Sequence, residues 1–216
     1  MKYKLALFDM DGTVLDTLQD LTDATNAVMV MHGYPTHSLD AVRTFVGNGA
    51  QRLIECAVPA GTDAAKIDTV LGDFKVYYGK HNADATKPYA GVPEMLRALR
   101  AAGVCTAVVS NKPDFAVKAL AGQYFDGLFD FAVGDREGVQ KKPAPDSVFE
   151  AMRVLGYGAE ETVYIGDSEV DVLTAKNAHV DGIFVDWGFR TVETLRESGA
   201  KVIVSSPDEI TGLILQ

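Results

Sequence analysis

Hydrophobic and polar positions divide this chain into two regimes. Leu5-Ala6-Leu7-Phe8 is a continuous apolar run, the pattern of a strand buried on both faces in a parallel sheet. Asp9-Met10-Asp11-Gly12-Thr13 follows, with two carboxylates two residues apart and then a Gly-Thr turn. Over residues 16–78 apolar side chains recur at helical spacing instead. Leu18, Leu21, Thr25, Val28 and Met29 form one stripe, ended by Gly33-Tyr34-Pro35. Ser38 is placed to cap a short second helix through Leu39, Val42 and Phe45. A third helix is predicted over 50–58 and a fourth over 63–78, the latter carrying Ile67, Val70, Leu71 and Phe74 inward.

From Tyr89 onward strand and helix patterns alternate. Pro93 suits the first turn of a helix through Leu96 and Leu99, and residues 104–109 read as an apolar strand ending in Ser110-Asn111. Pro113 opens a helix through Val117 and Leu120. Short strands are predicted over 131–133, 162–165, 182–185 and 202–204, and helices through Val148, Phe149, Met152 and Leu155 and over 169–178. Repeated strand–helix units with short buried strands predict an α/β fold with a doubly wound, Rossmann-like parallel sheet. The predicted division is a core of residues 1–15 and 85–216 with a helical cap, residues 16–84, inserted after the first strand.

Composition narrows the partners. The 216 residues include 30 acidic against 20 basic side chains, a formal net charge of -10, which argues against nucleic acid and anionic membrane surfaces. An anionic substrate must then be held by local cations. No apolar run reaches the roughly 18 residues of a membrane span, and Met1-Lys2-Tyr3-Lys4 lacks a signal-peptide pattern. Cys56 and Cys105 form no metal-ligand pair and are expected as buried, reduced thiols of a cytoplasmic protein. A monomer or a small homo-oligomer is expected.

Polar residues stand at several predicted strand ends: Asp9 and Asp11 at the first, Ser110 and Asn111 at the second, Asp167 and Asp171 at a later one. Lys142 lies in Lys141-Lys142-Pro143 just ahead of a helix. Taken alone, Asp9 and Asp11 also suit a capped turn, and Asp171 a solvated helix position. The carboxyl ends of strands in a doubly wound sheet share one edge, where these groups converge. Carboxylates gathered there repel one another unless a divalent cation sits among them, and oxygen-only ligands point to magnesium. A carboxylate attacking a phosphate dianion faces about 4 kcal/mol of repulsion per charge pair at 4 Å and an effective dielectric near 20, roughly 8 kcal/mol in all. Magnesium and a lysine offset that cost, while Thr13, Ser110 and Asn111 orient the phosphate. Asp11, two residues beyond Asp9, is placed to serve as acid and then base.

Asp9-Met10-Asp11-Gly12-Thr13, Ser110-Asn111, Lys142-Pro143 and Gly166-Asp167-Ser168-Glu169-Val170-Asp171 resemble, in order, the four motifs of the haloacid dehalogenase superfamily. The resemblance implies Asp9 as nucleophile, Asp11 as acid/base, and magnesium held by Asp9, the Asp11 backbone carbonyl and Asp167, with Asp171 supporting the metal. It further implies Thr13, Ser110 and Lys142 at the phosphate. Phe45-Val46-Gly47-Asn48-Gly49-Ala50, Pro88-Tyr89-Ala90-Gly91-Val92 and Asp186-Trp187-Gly188-Phe189-Arg190 are similar to stretches of the phosphoglycolate phosphatase-like subgroup. The expected activity is magnesium-dependent hydrolysis of a small phosphorylated metabolite, phosphoglycolate first. A phosphomutase, or a phosphatase of nucleotides, pyrophosphate or sugar phosphates, shares much of this pattern. A dehalogenase, which needs no metal cluster, is disfavoured by Asp11 and Asp167. Gly47 and Asn48 are candidates to face substrate or simply to form a turn. Arg43 and Arg52 are either solvated helix residues or contacts to a substrate carboxylate.

Overall fold

The computed structural model describes residues 2–216. In chain order the elements are β1 (Leu5–Phe8), β2 (Leu15–Asp16), α1 (Leu18–Met31), α2 (Leu39–Phe45), α3 (Gly49–Ala57), α4 (Ala64–His81), β3 (Lys87–Pro88), α5 (Val92–Ala101), β4 (Cys105–Pro113), α6 (Asp114–Phe125), β5 (Phe131–Asp135), α7 (Asp146–Leu155), β6 (Thr162–Gly166), α8 (Glu169–Asn177), β7 (Asp181–Val185), α9 (Val192–Glu197), β8 (Ile203–Val204) and α10 (Pro207–Leu215). Six strands form one parallel sheet in the order β5-β4-β1-β6-β7-β8.

The two-residue period of β1 explains why its apolar run is unbroken. Ala6 and Phe8 point to one face and pack with Leu96 and Leu99 of α5, Val117 and Leu120 of α6, and Ile210 of α10. Leu5 and Leu7 point to the other face and pack with Val148 and Ala151 of α7, Val172 of α8 and Leu195 of α9. A strand covered on both faces has no polar side. Helices α1–α4 bury a stripe including Val28, Val42, Ile54, Val70 and Phe74 in a second cluster, which also takes in Ala116 of α6 and Phe189. Ser38 and Asp63 cap α2 and α4, each side chain accepting an N–H three residues on.

Four details differ from the expectation. β2 and β3 form a two-residue antiparallel pair, Leu15 opposite Pro88 and Asp16 opposite Lys87, at the two crossings between sheet and helical unit. Elements this short carry no periodicity and are invisible to it. β4 does not end at Val109 but continues through Ser110-Asn111-Lys112 with a register shift against β5. Phe149 is 46% exposed, because α7 turns Val148 and Ala151 to the sheet instead. Both thiols are free but half-buried. No helix among the described residues is long and apolar enough to cross a membrane.

Candidate active site

From β1 the chain turns toward β4, whereas from β6 it turns toward β7. The crevice between β1 and β6 therefore lies at the switch point where open parallel sheets bind ligands. Asp9 follows β1 directly, and its N–H donates to the Ile165 carbonyl at 2.9 Å, which keeps it laced to β6. Asp167 follows β6, and Asp171 is one turn into α8. One oxygen from each of Asp9, Asp167 and Asp171 lies within 4.8 Å of the others, and all three residues are buried.

Lys142 supplies the counter-charge. Its Nζ stands 2.9 Å from Asp9 Oδ1 and 2.8 Å from Asp171 Oδ1, and it donates to the Tyr164 hydroxyl at 2.8 Å. Asp9 Oδ1 is buried and has no well-aligned hydrogen bond, and Lys142 at 2.9 Å is its charge partner. Asp171, by contrast, is fully subscribed. Oδ1 takes Lys142 and the Tyr164 hydroxyl, while Oδ2 accepts the Ser168 hydroxyl at 2.6 Å and the N–H groups of Asp167 and Ser168. Ser168 and Asp171 form the capping box of α8, so the helix start and the lysine are positioned by the same carboxylate.

Asp167 accepts the Thr13 hydroxyl at 3.2 Å and the Phe189 N–H at 2.7 Å. Glycines make room for it: a Cβ on Gly12 would stand 2.3 Å from Asp167 Oδ2, and one on Gly188 2.3 Å from Asp167 Cβ. Both contacts lie far inside van der Waals distance, and Gly12 also sits at φ +83°.

The electrostatics describe a crowd of carboxylates short of cations. Burial pushes Asp9 up to about 6, against the pull of Lys142 and with the help of the Asp171 and Asp11 charges. Burial, then Asp171 and Asp9, push Asp167 well above the carboxylate range. Lys142 is drawn down by burial, but Asp171 and Asp9 more than reverse this and leave it raised. One ammonium among three close carboxylates leaves negative charge over, and the donors are all oxygen. That donor set suits a hard divalent ion such as magnesium rather than zinc.

A second cluster joins the sheet edge to the helical unit. Asp11 Oδ1 accepts the Thr17 hydroxyl and the Lys112 ammonium, both at 2.8 Å. Lys112 also donates to the Tyr78 hydroxyl of α4 at 2.5 Å. Burial, opposed by Lys112, pushes the Tyr78 phenol up to about 12. Asn111 donates to the carbonyls of Gly47 and Lys142 and accepts the Lys142 N–H. Arg190 pairs with Glu169 at 2.8 Å and donates to the carbonyls of Arg43 and Val46. Between the two units a cavity of about 40 Å³ remains, lined by Asp9, Asp11, Lys112, Leu21, Leu53 and Phe74 among others.

Of the residues singled out by sequence, Asp9, Asp11, Gly47, Ser110, Asn111 and Asp167 all line this cavity. Lys142 and Asp171 stand directly behind Asp9. The Thr13 hydroxyl is engaged by Asp167. Asn48 is exposed and outside the cavity. Arg52 pairs with Glu55 at 3.4 Å on the surface, and Arg43 offers its carbonyl to Arg190 rather than a guanidinium to the cavity. Lys112, Tyr78 and Arg190 line the cavity without having been singled out. Lys112 followed a strand expected to stop at Val109, and Arg190 stood in a stretch read only for resemblance.

A buried Asp-rich crevice thus lies at the switch point of a doubly wound sheet, with residues of α1, α3 and α4 completing its lining. The family profile described as haloacid dehalogenase-like hydrolase matches residues 6–185, and the chain belongs to that family. Within it, a phosphoglycolate phosphatase of Pseudomonas syringae pv. tomato is 33% identical over 98% of this chain and 78% of its own length. One from Colwellia psychrerythraea is 34% identical over 91% of this chain and 90% of its own. A crystal structure from Lactobacillus delbrueckii subsp. bulgaricus, provisionally described as a phosphoglycolate phosphatase, superimposes with a TM-score of 0.94 at 39% identity, covering 100% of this chain and 99% of that one. These likenesses place the chain with the phosphatases of the family.

Proposed function

We propose that the protein hydrolyses small phosphomonoesters, phosphoglycolate first among them, by way of an aspartyl-phosphate on Asp9 and with magnesium as cofactor. The observation that carries this reading is the trio Asp9, Asp167 and Asp171, buried with oxygens within 4.8 Å of one another beside Lys142. Asp9, the Asp11 backbone carbonyl and Asp167 would hold the cation, with Asp171 fixing Lys142 and the start of α8 behind them. When bound, the cation neutralises charge between the phosphate and the carboxylates.

Asp9 attacks phosphorus, its oxygen forming the new P–O bond as the ester P–O bond breaks. Asp11, entering this half in its protonated form, gives that proton to the departing alkoxide. In the second half Asp11 takes a proton from water as that water attacks phosphorus, and Asp9 leaves as carboxylate. Lys142 offsets the negative charge at Asp9, and Ser110 and Asn111 orient the phosphate oxygens. Residues 16–84 act as a cap on the core of residues 1–15 and 85–216, with the β2–β3 pair at its hinge, and closing it keeps bulk water out. Free half-buried thiols and an acidic surface suit a cytoplasmic protein, monomeric or in a small homo-oligomer.

The test is phosphate release over a panel of phosphorylated metabolites with magnesium, with chelator, and after magnesium is restored. The expected result is release that favours phosphoglycolate, vanishes with chelator and returns with magnesium. Undiminished release in chelator would sink the metal role, a flat profile the phosphoglycolate assignment, and an isomerised ester without free phosphate the hydrolase.

A further inference from the structure

Only two lysines among the described residues are buried, Lys142 and Lys112. Lys142 is accounted for by Asp9 and Asp171. Lys112 is not. Its side chain is 1% exposed, and it reaches the cavity wall between Asp11 of the sheet edge and Tyr78 of α4. Burying an ammonium costs several kcal/mol unless a partner offsets it, and an apolar residue would hold the two units together at lower cost. Its partner Asp11 is also the residue assigned to proton transfer, and turnover takes it away from Lys112. Asp11 must present an oxygen to the leaving group, and Oδ1 is at present held by Lys112 and Thr17. When Asp11 turns, Lys112 needs another anion.

The cavity offers a place for one. At about 40 Å³ it is on the scale of a few water molecules, a space suited to a compact ligand rather than an extended one. Leu21, Leu53 and Phe74 make its walls largely apolar, and Arg190, the other cation on the lining, is engaged by Glu169 and by the carbonyls of Arg43 and Val46. The Lys112 ammonium and the Tyr78 hydroxyl are thus two adjacent donors facing a small apolar space, a pair matched to the two oxygens of one carboxylate.

We infer that Lys112 and Tyr78 form the subsite that recognises a carboxylate on the organic part of the substrate, selecting small acidic phosphomonoesters over neutral ones of equal size. The inference rests on the phosphatase reading and assigns its specificity to residues of both units. It also couples recognition to chemistry, because the substrate carboxylate takes Lys112 over and frees Asp11.

The test is calorimetric binding of two non-hydrolysable ligands with magnesium present: 3-phosphonopropionate, ending in a carboxylate, and propylphosphonate, ending in a methyl group. The wild type should prefer the acid by about 10- to 100-fold, the scale of a buried charge-assisted contact. Lys112→Met should bring the two ligands near parity by weakening only the acid. Tyr78→Phe, which keeps the ammonium, should lose part of the preference. Equal affinities in the wild type overturn the subsite, as does equal weakening of both ligands in Lys112→Met, which would mark Lys112 as a residue that merely positions Asp11. If Lys112→Met does not fold, the wild-type preference together with Tyr78→Phe decides. A Lys112-dependent preference for the acid, with no phosphate released from any ester, keeps the subsite and rejects the hydrolase. Phosphate release without the preference rejects the subsite alone.

Discussion

Asp9→Asn leaves a folded protein that releases no measurable phosphate, a loss on the order of 10⁵-fold or more, the scale reached when the nucleophile of a concerted group is removed. An amide can still accept a hydrogen bond at that position, but it cannot form an acyl phosphate. The same substitution should change stability in the opposite sense. In the protein stripped of divalent ions, Asp9 keeps its proton up to about pH 6, whereas an unfolded aspartate sheds it near 3.8. As pH rises between those values the unfolded chain loses its proton first, so stability falls and then levels off above about pH 6. The shift corresponds to a penalty on the order of 3 kcal/mol. Asp167, raised by the same burial and neighbouring charge, acts in the same direction. In urea titrations with chelator above about pH 7, Asp9→Asn should be more stable than wild type, and the two should converge below about pH 4. A variant less stable than wild type at the higher pH would contradict this picture of Asp9.

Lys142→Met should damage both folding and turnover. Its ammonium touches Asp9, Asp171 and the Tyr164 hydroxyl, all buried, and nothing else among the described residues supplies positive charge to Asp171. Removing one partner of a buried ion pair costs about 3–5 kcal/mol, because the charges left behind stay desolvated. The urea midpoint should fall accordingly in chelator. Phosphate release should drop by several orders of magnitude, since Asp9 would then face the phosphate with its charge uncompensated. Magnesium should return part of the lost stability, a cation among the carboxylates substituting in part for the missing ammonium. A midpoint equal to that of wild type would show that Lys142 carries no weight in the cluster.

The parts of the fold that were legible in sequence are those whose pattern is set by two-sided burial or by local capping. β1 had to be unbroken because both faces are covered, and Ser38 signalled its helix through a side-chain oxygen. Asp9, Asp11 and Asp167 were legible because they follow buried strands whose carboxyl ends share one edge of a doubly wound sheet, which brings them together. Lys112 was not, since its burial depends on Tyr78, 34 residues away and on another unit. Gly47 was a candidate from its stretch, but the way it enters, through a carbonyl that Asn111 holds, leaves no mark in side-chain patterns. Arg190 was not legible either: it holds the carbonyls of Arg43 and Val46 at the end of α2, and backbone acceptors leave no trace in a side-chain pattern. The β2–β3 pair is held by its neighbours and not by its own four residues.

The central claim is that Asp9 carries the phosphoryl group between substrate and water. Acid quenching of the wild-type enzyme during turnover of phosphoglycolate radiolabelled in its phosphoryl group, with magnesium present, tests it directly. The account predicts a base-labile label on the peptide containing Asp9 that chases into free phosphate. Phosphate released with no label on the protein, or with the label on another residue, would contradict it.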